Sequence, residues 1–176
     1  MYHRKMKRTF EESLAVGSAG ERLVISELRK VTEVKDLTNY DKNKGYQQKG
    51  FDISFYNHNT KTWDRADVKT NVKYGKTRVE LTKPNGNLGW AYTSTADFII
   101  CVDIAYNKIY YYSMKDLRNY LEKKRSNNTL KAYQYEGYYL TDVYLNETQL
   151  IKPYAHLINS IGIGVSTPGM GVDSGN

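Results

Sequence analysis

The sequence predicts an α/β fold, a central β-sheet of about five strands flanked by helices. Three observations predict it. Five short segments alternate at strand period or run apolar between turn residues, and helix-period segments stand before and after them. The 176-residue chain, 40% hydrophobic and with only 3 Pro, has the size and composition of one folded domain. The expected organisation is a basic arm at 1–10, a single domain over 11–159 and a flexible Gly/Ser-rich tail over 160–176.

The first element is a helix from Glu11 to about Val31. Leu14, Val24, Ile25 and Leu28 can share one face, while Gly17 and Gly20 weaken the early turns, so a break near Gly17 is expected. After the Asn-, Asp- and Lys-rich stretch Asp36 to Gly45 comes Phe51-Asp52-Ile53-Ser54-Phe55, alternating at strand period. Asn57-His58-Asn59-Thr60 turns the chain into a second strand, Trp63 to Thr70. A third fits Thr77 to Thr82, closed by Pro84-Asn85-Gly86; a fourth fits Phe98 to Ile104; Tyr106-Asn107-Lys108 turns into a fifth, Ile109 to Tyr112. Ser113, with Asp116 three residues on, is an N-cap signal for a helix to about Lys124. A late strand fits Gly137 to Leu145, and Asn146 to Asn159 reads as a short closing helix broken near Pro153.

Composition narrows the function. The 26 Lys and Arg against 19 Asp and Glu leave +7 at neutral pH and a pI near 9.3, which favours a polyanionic partner. The lone Cys101 excludes an internal disulfide framework and any multi-cysteine zinc site, and His3, His58 and His156 are too scattered for a histidine metal site or triad. No stretch approaches the length of a membrane span and no phosphate-loop signature precedes a helix, so neither a membrane role nor an organic cofactor is expected. A reducing interior, the cytoplasm, is the expected location. The 17 Tyr, clustered at Tyr110 to Tyr112 and between Tyr133 and Tyr144, suit half-buried strands and also base stacking.

In an antiparallel hairpin, facing residues share a constant sum of numbers. If the turn centres on Asn59-Thr60, Phe51 faces Val68, Ile53 faces Ala66 and Asp52 faces Asp67, with the carboxylates on the side opposite the apolar pairs. Facing carboxylates repel unless something positive stands between them, and a divalent cation or the Lys69 ammonium could supply that charge. Glu21 lies along the apolar stripe of the first helix with Val24, Ile25 and Leu28, where it needs a partner: the same cation, or a Lys or Arg at the rim. Spacing alone proves nothing, because an Asp followed at a loose interval by acid-x-Lys occurs by chance on the order of once in such a chain. The context of adjacent strands in a clustering register is what raises the signal.

Those residues resemble the PD-(D/E)xK nuclease superfamily, which includes Holliday junction resolvases and phage nucleases. The matching pieces are Gly20-Glu21, Gly50-Phe51-Asp52-Ile53 and Asp67-Val68-Lys69-Thr70. Thr77-Arg78-Val79-Glu80, Leu88-Gly89-Trp90 and Ser94-Thr95-Ala96-Asp97-Phe98 look like small phage-encoded members, so the resemblance covers about residues 17 to 120. Phe51 stands where the motif has Pro, and Asp67 is the shorter of the two allowed acids. The resemblance implies a restriction-endonuclease-like core with a mixed central sheet. It implies Mg2+, with Mn2+ as a substitute, bound at Asp52, Asp67 and Val68 with Glu21 as an outer or direct ligand. Lys69 would orient the attacking water or steady the phosphate. The implied activity is metal-dependent endonucleolytic hydrolysis of DNA, with branched or phage DNA among the candidate substrates.

Lys73, Lys76 and Arg78 are expected to contact the DNA backbone or simply to be solvated. Glu80 could point towards the cleft, although a surface acid is the plainer reading. A junction-cutting role would favour a homodimer. Two other readings stay open: a nuclease-fold protein that binds DNA without cutting it, and a protein-interaction module using the Tyr-rich strands.

Overall fold

The computed structural model describes residues 10–147 and 149–161. In chain order it holds α1 (Phe10–Arg29), β1 (Val34–Asp36), α2 (Tyr40–Gln48), β2 (Ile53–Asn57), β3 (Thr62–Lys69), β4 (Lys76–Thr82), α3 (Trp90–Thr93), β5 (Phe98–Asp103), β6 (Lys108–Ser113), α4 (Met114–Ser126), β7 (Ala132–Tyr135), β8 (Tyr138–Tyr144), β9 (Lys152–Pro153) and α5 (Tyr154–Ser160). The first nine residues of the expected basic arm and the tail beyond residue 161 lie outside the described residues. Among the described residues no helix is long and apolar enough to cross a membrane.

The central sheet has six strands in the order β1-β2-β3-β5-β6-β9. It is mixed: β3 and β5 run parallel, and the other neighbours are antiparallel. Parallel strands need a crossover, and here the crossover carries β4 and α3. β5 is covered on both faces, which is why Phe98 to Val102 reads as an unbroken apolar run rather than an alternation. Ile100 and Val102 pack with Val24, Ile25 and Leu28 of α1 and Leu157 of α5. Ile99 and Cys101 pack with Leu117 and Leu121 of α4 and with Val79, Leu81 and Val143 from a second sheet.

That second sheet is where the sequence reading needs correction. The strand expected at Thr77 to Thr82 forms as β4, but it lies in a three-stranded sheet of order β4-β8-β7 rather than the central one. Period 2 identifies a strand and its buried face, here Thr77, Val79 and Leu81; it does not say which strand will pair with it. Thr77 pairs with Val143 and Val79 with Thr141, so β4 finds its partner only after α4. β1 and α2 occupy the polar stretch between the first helix and β2, where no apolar period announces them.

α1 runs unbroken through Gly17, against the expected break, and Leu14 is exposed rather than part of the apolar stripe. Glu11 and Glu12 in the first turn and Arg29 in the last complement the helix dipole. Gly20 lets α1 lie close to the end of β3, because a Cβ there would stand 2.1 Å from the Thr70 Cγ2, a methyl that would first have to rotate away. The cap expected before α4 forms, with the Ser113 Oγ accepting from the Asp116 N–H at 2.9 Å. Ser113→Ala is expected to cost about 1 kcal/mol, read as a lowered urea midpoint at unchanged slope.

Candidate active site

The candidate site sits at the C-terminal end of β3, where the segment leading into β2 passes alongside. The hairpin register is the expected one through Ile53 and Ala66. Beyond that pair the ladder changes. The Asp52 N–H donates to the Ala66 carbonyl at 2.9 Å, one residue short of the constant sum, and β2 begins only at Ile53. A one-residue slip moves side chains to the other face. Phe51 accordingly packs with Ile99 and Cys101 and not opposite Val68, which corrects the expected Phe51–Val68 pair.

The slip holds Asp52 from three sides. Its N–H bonds to Ala66, its carbonyl accepts from the Leu37 N–H at 2.9 Å, and its carboxylate accepts from the Val68 N–H at 3.0 Å. Since a strand residue's N–H and C=O point to the same edge, the Val68 carbonyl opens on the side where Asp52 lies. Asp67 and Lys69, two residues apart on β3, share a face, and the Lys69 Nζ stands 2.8 Å from the Asp67 Oδ2.

Electrostatics mark this cluster out. Asp67 is only 4% exposed, and burial pushes its carboxyl up to about 7, with Asp52 pushing the same way and Lys69 opposing. Burial works against the charge on Lys69, yet Asp67 and Asp52 outweigh it and hold the ammonium above its ordinary range. Glu21, half-buried on α1, is also raised, first by burial and then by Asp52 and Asp36, while Lys69 and Arg22 pull it down. Asp52 and Lys69 therefore act on both Asp67 and Glu21, which links the four sequence-predicted residues electrostatically.

They do not form a ready-made cage. Among the described residues no three His, Cys, Asp or Glu side chains converge as a metal-binding group. The donor chemistry nevertheless fits a hard cation: two carboxylates, one of them buried and resisting ionisation, beside a backbone carbonyl. Mg2+ is commonly held by one or two carboxylates and keeps several waters.

The predicted cations lie apart from the cluster. Lys76, on β4, pairs with Asp142, whose other oxygen accepts from the Tyr133 hydroxyl at 2.9 Å. Arg78 is exposed and reaches over the Tyr135 ring, 5.1 Å from its centroid, and Lys73 is exposed beside Tyr74. Glu80 has its backbone packed against Gly89. Sequence reasoning missed Trp90, whose ring centroid is 5.6 Å from the Lys69 Nζ. It also missed the buried set behind Asp67. There the Cys101 Sγ lies 3.7 Å from the Thr77 Oγ1, which donates to Asn71 Oδ1 at 2.9 Å, and the Tyr112 hydroxyl is buried without a hydrogen-bond partner. Neither had a periodicity to reveal it; only the Gly89-Trp90 pair, with its small residue before an aromatic, offered a signal.

No family model matches the chain, and no curated protein matches it. Among solved structures the fold is similar to a bacterial homing endonuclease, I-Ssp6803I, at a TM-score of 0.49 and 12% identity over 83% of this chain and 92% of that one. It is also similar to D212, a nuclease from a fusselovirus, at a TM-score of 0.44 and 17% identity over 89% of this chain and 94% of that one.

Proposed function

We propose that the chain is a metal-dependent DNA endonuclease of PD-(D/E)xK type that hydrolyses phosphodiester bonds. One observation carries the reading: Asp52 fixed by the Val68 N–H, and the buried Asp67 with Lys69 on its carboxylate, meet at the C-terminal end of β3. The net charge of +7 supports DNA as the partner.

In this reading Asp52, Asp67 and the Val68 carbonyl would hold Mg2+ or Mn2+, with Glu21 outside them or joining through water. A cation bound there supplies charge against a non-bridging phosphate oxygen and acidifies water. The chain's own residues do the rest. The Val68 N–H bond to the Asp52 carboxylate, on a backbone fixed by two further bonds, keeps that carboxylate in place when phosphate approaches. Lys69, whose ammonium stands 2.8 Å from the Asp67 carboxylate at this site, would place its positive charge beside the developing negative charge. Branched and phage DNA are candidate substrates, a homodimer would present two such sites to opposed strands, and the cytoplasm is where such an enzyme would meet them.

A non-cutting, nuclease-fold DNA-binding protein has one observation in its favour: Lys69 already balances Asp67 without a cation. Incubation with plasmid, linear and four-way DNA separates the two. Cleavage in Mg2+ or Mn2+, stopped by EDTA and lost by roughly 10²-fold or more in Asp52→Asn and Lys69→Ala, is expected. DNA binding with no cut in either metal would leave only the non-cutting reading.

A further inference from the structure

Trp90 stands on a backbone held from two sides. The Gly89 N–H donates to the Leu81 carbonyl at 2.8 Å, and a Cβ on Gly89 would stand 2.4 Å from the Glu80 carbonyl oxygen, so the backbone before Trp90 is pressed onto β4. α3 is a single turn, and the Arg118 guanidinium holds its exit, donating to the carbonyls of Ala91 at 3.0 Å, Tyr92 at 3.4 Å and Ser94 at 2.7 Å. The one-turn helix has its backbone end clamped from α4, and the indole it carries packs partly against the core.

That position is beside Lys69, with the ammonium 5.6 Å from the ring centroid. The indole is half-buried, and on the other side of Gly89 the Leu88 side chain is 55% exposed. The part of the indole that does not pack against the core thus lies beside a lysine paired with the buried Asp67. Successive nucleotides along one strand rise by about 3.4 Å, so a phosphate engaged by Lys69 brings the next sugar or base within reach of the indole. Stacking needs an open base face, which an interior base pair lacks and an unpaired nucleotide offers.

We propose that Trp90 is a stacking platform for an unpaired base adjoining the phosphate that Lys69 engages, so that the preferred substrate is DNA with an unpaired nucleotide at the point of cleavage. The inference rests on the nuclease reading of the Asp52–Asp67–Lys69 cluster, and its test separates the two.

The chain has 2 Trp, so the full-length Trp63→Phe protein carries Trp90 as its only indole. It is titrated, with Ca2+ in place of Mg2+, with a fully paired oligonucleotide duplex and with the same duplex carrying one unpaired base. Quenching of Trp90 fluorescence by the unpaired-base duplex and tighter binding of it than of the paired one are expected. Trp90→Ala should lose roughly 5- to 150-fold in affinity for the unpaired-base duplex alone, and Trp90→Phe should retain most of it. Unchanged fluorescence on binding, or a Trp90→Ala protein with wild-type preference, overturns the proposal. The fluorescence readout decides the matter even if Trp90→Ala does not fold. Quenching without cleavage in Mg2+ or Mn2+ removes the nuclease reading and keeps the stacking; cleavage with no quenching removes the stacking alone.

Discussion

Replacing Asp67 by Asn is expected to abolish DNA cleavage and, in the metal-free protein at pH 8, to raise the melting temperature. The two effects share one cause. Asp67 is 4% exposed and its carboxyl is pushed up to about 7 from an ordinary 3.8, first by burial and then against the pull of Lys69 by Asp52. Between those two values the folded chain holds a proton that the unfolded chain has lost, so this residue's contribution to stability falls as pH rises from about 4 to about 7. At pH 8 the site contains a buried anion that would prefer to be neutral, and an amide of the same shape relieves it. The gain is expected to be of order 1–3 kcal/mol, less than the full shift would suggest because Lys69 loses part of its partner. It should shrink to a small remainder near pH 4, where Asp67 is protonated in the folded chain and already partly protonated in the unfolded one.

A divalent cation should reverse the order. Binding to the folded wild type at 100 times its dissociation constant adds about 2.7 kcal/mol, and Asp67→Asn should receive little of it. Thermal melts at pH 4, 6 and 8, each with EDTA and with Mg2+, test both arms. An Asn variant less stable than the wild type at pH 8 in EDTA would show that Lys69 fully satisfies the carboxylate; one that still cuts DNA would remove the mechanism.

The second large effect is expected at Gly89. A Cβ there would meet the Glu80 carbonyl oxygen at 2.4 Å and its carbon at 2.6 Å, and both are backbone atoms that cannot rotate aside. Gly89→Ala must therefore part α3 from β4 and stretch the bond to the Leu81 carbonyl. A cost of about 2–4 kcal/mol is expected, a fall of roughly 5–15 °C in melting temperature. The contrast is Gly20, where the obstructing atom is the Thr70 methyl, which a side-chain rotation can withdraw. A Gly89→Ala protein within about 1 kcal/mol of wild type would mean that this junction is far softer than its contacts indicate.

Much of this was readable from the sequence, and the rest was hidden for definite reasons. The Ile53–Ala66 register followed from alternation and a central turn, and it brought Asp52 alongside β3. The slip at Asp52 did not follow, because it depends on the Val68 N–H finding a carboxylate instead of a carbonyl, a choice made by the fold and not by hydrophobic period. The helix over α4 was legible because Ser113 and Asp116 carry its cap within a few residues. The membership of β4 was not, since its partner lies beyond α4 and alternation is silent on distant pairing. Leu14 looked like part of a stripe, yet the apolar face of α1 contributes to the core only from its later turns, at Val24, Ile25 and Leu28.

The separation of β4 from β8 has a consequence during synthesis. A chain leaving the ribosome displays Val79 and Leu81 long before Tyr138–Tyr144 exists to pair with that strand, and closing so distant a contact is slow. The nascent protein therefore carries Asp52, Asp67 and Lys69 while the layer behind them is still missing. Synthesis through Tyr144 is what closes the β4–β8 layer, so a product stopped before it should be degraded or aggregate rather than persist as a folded protein.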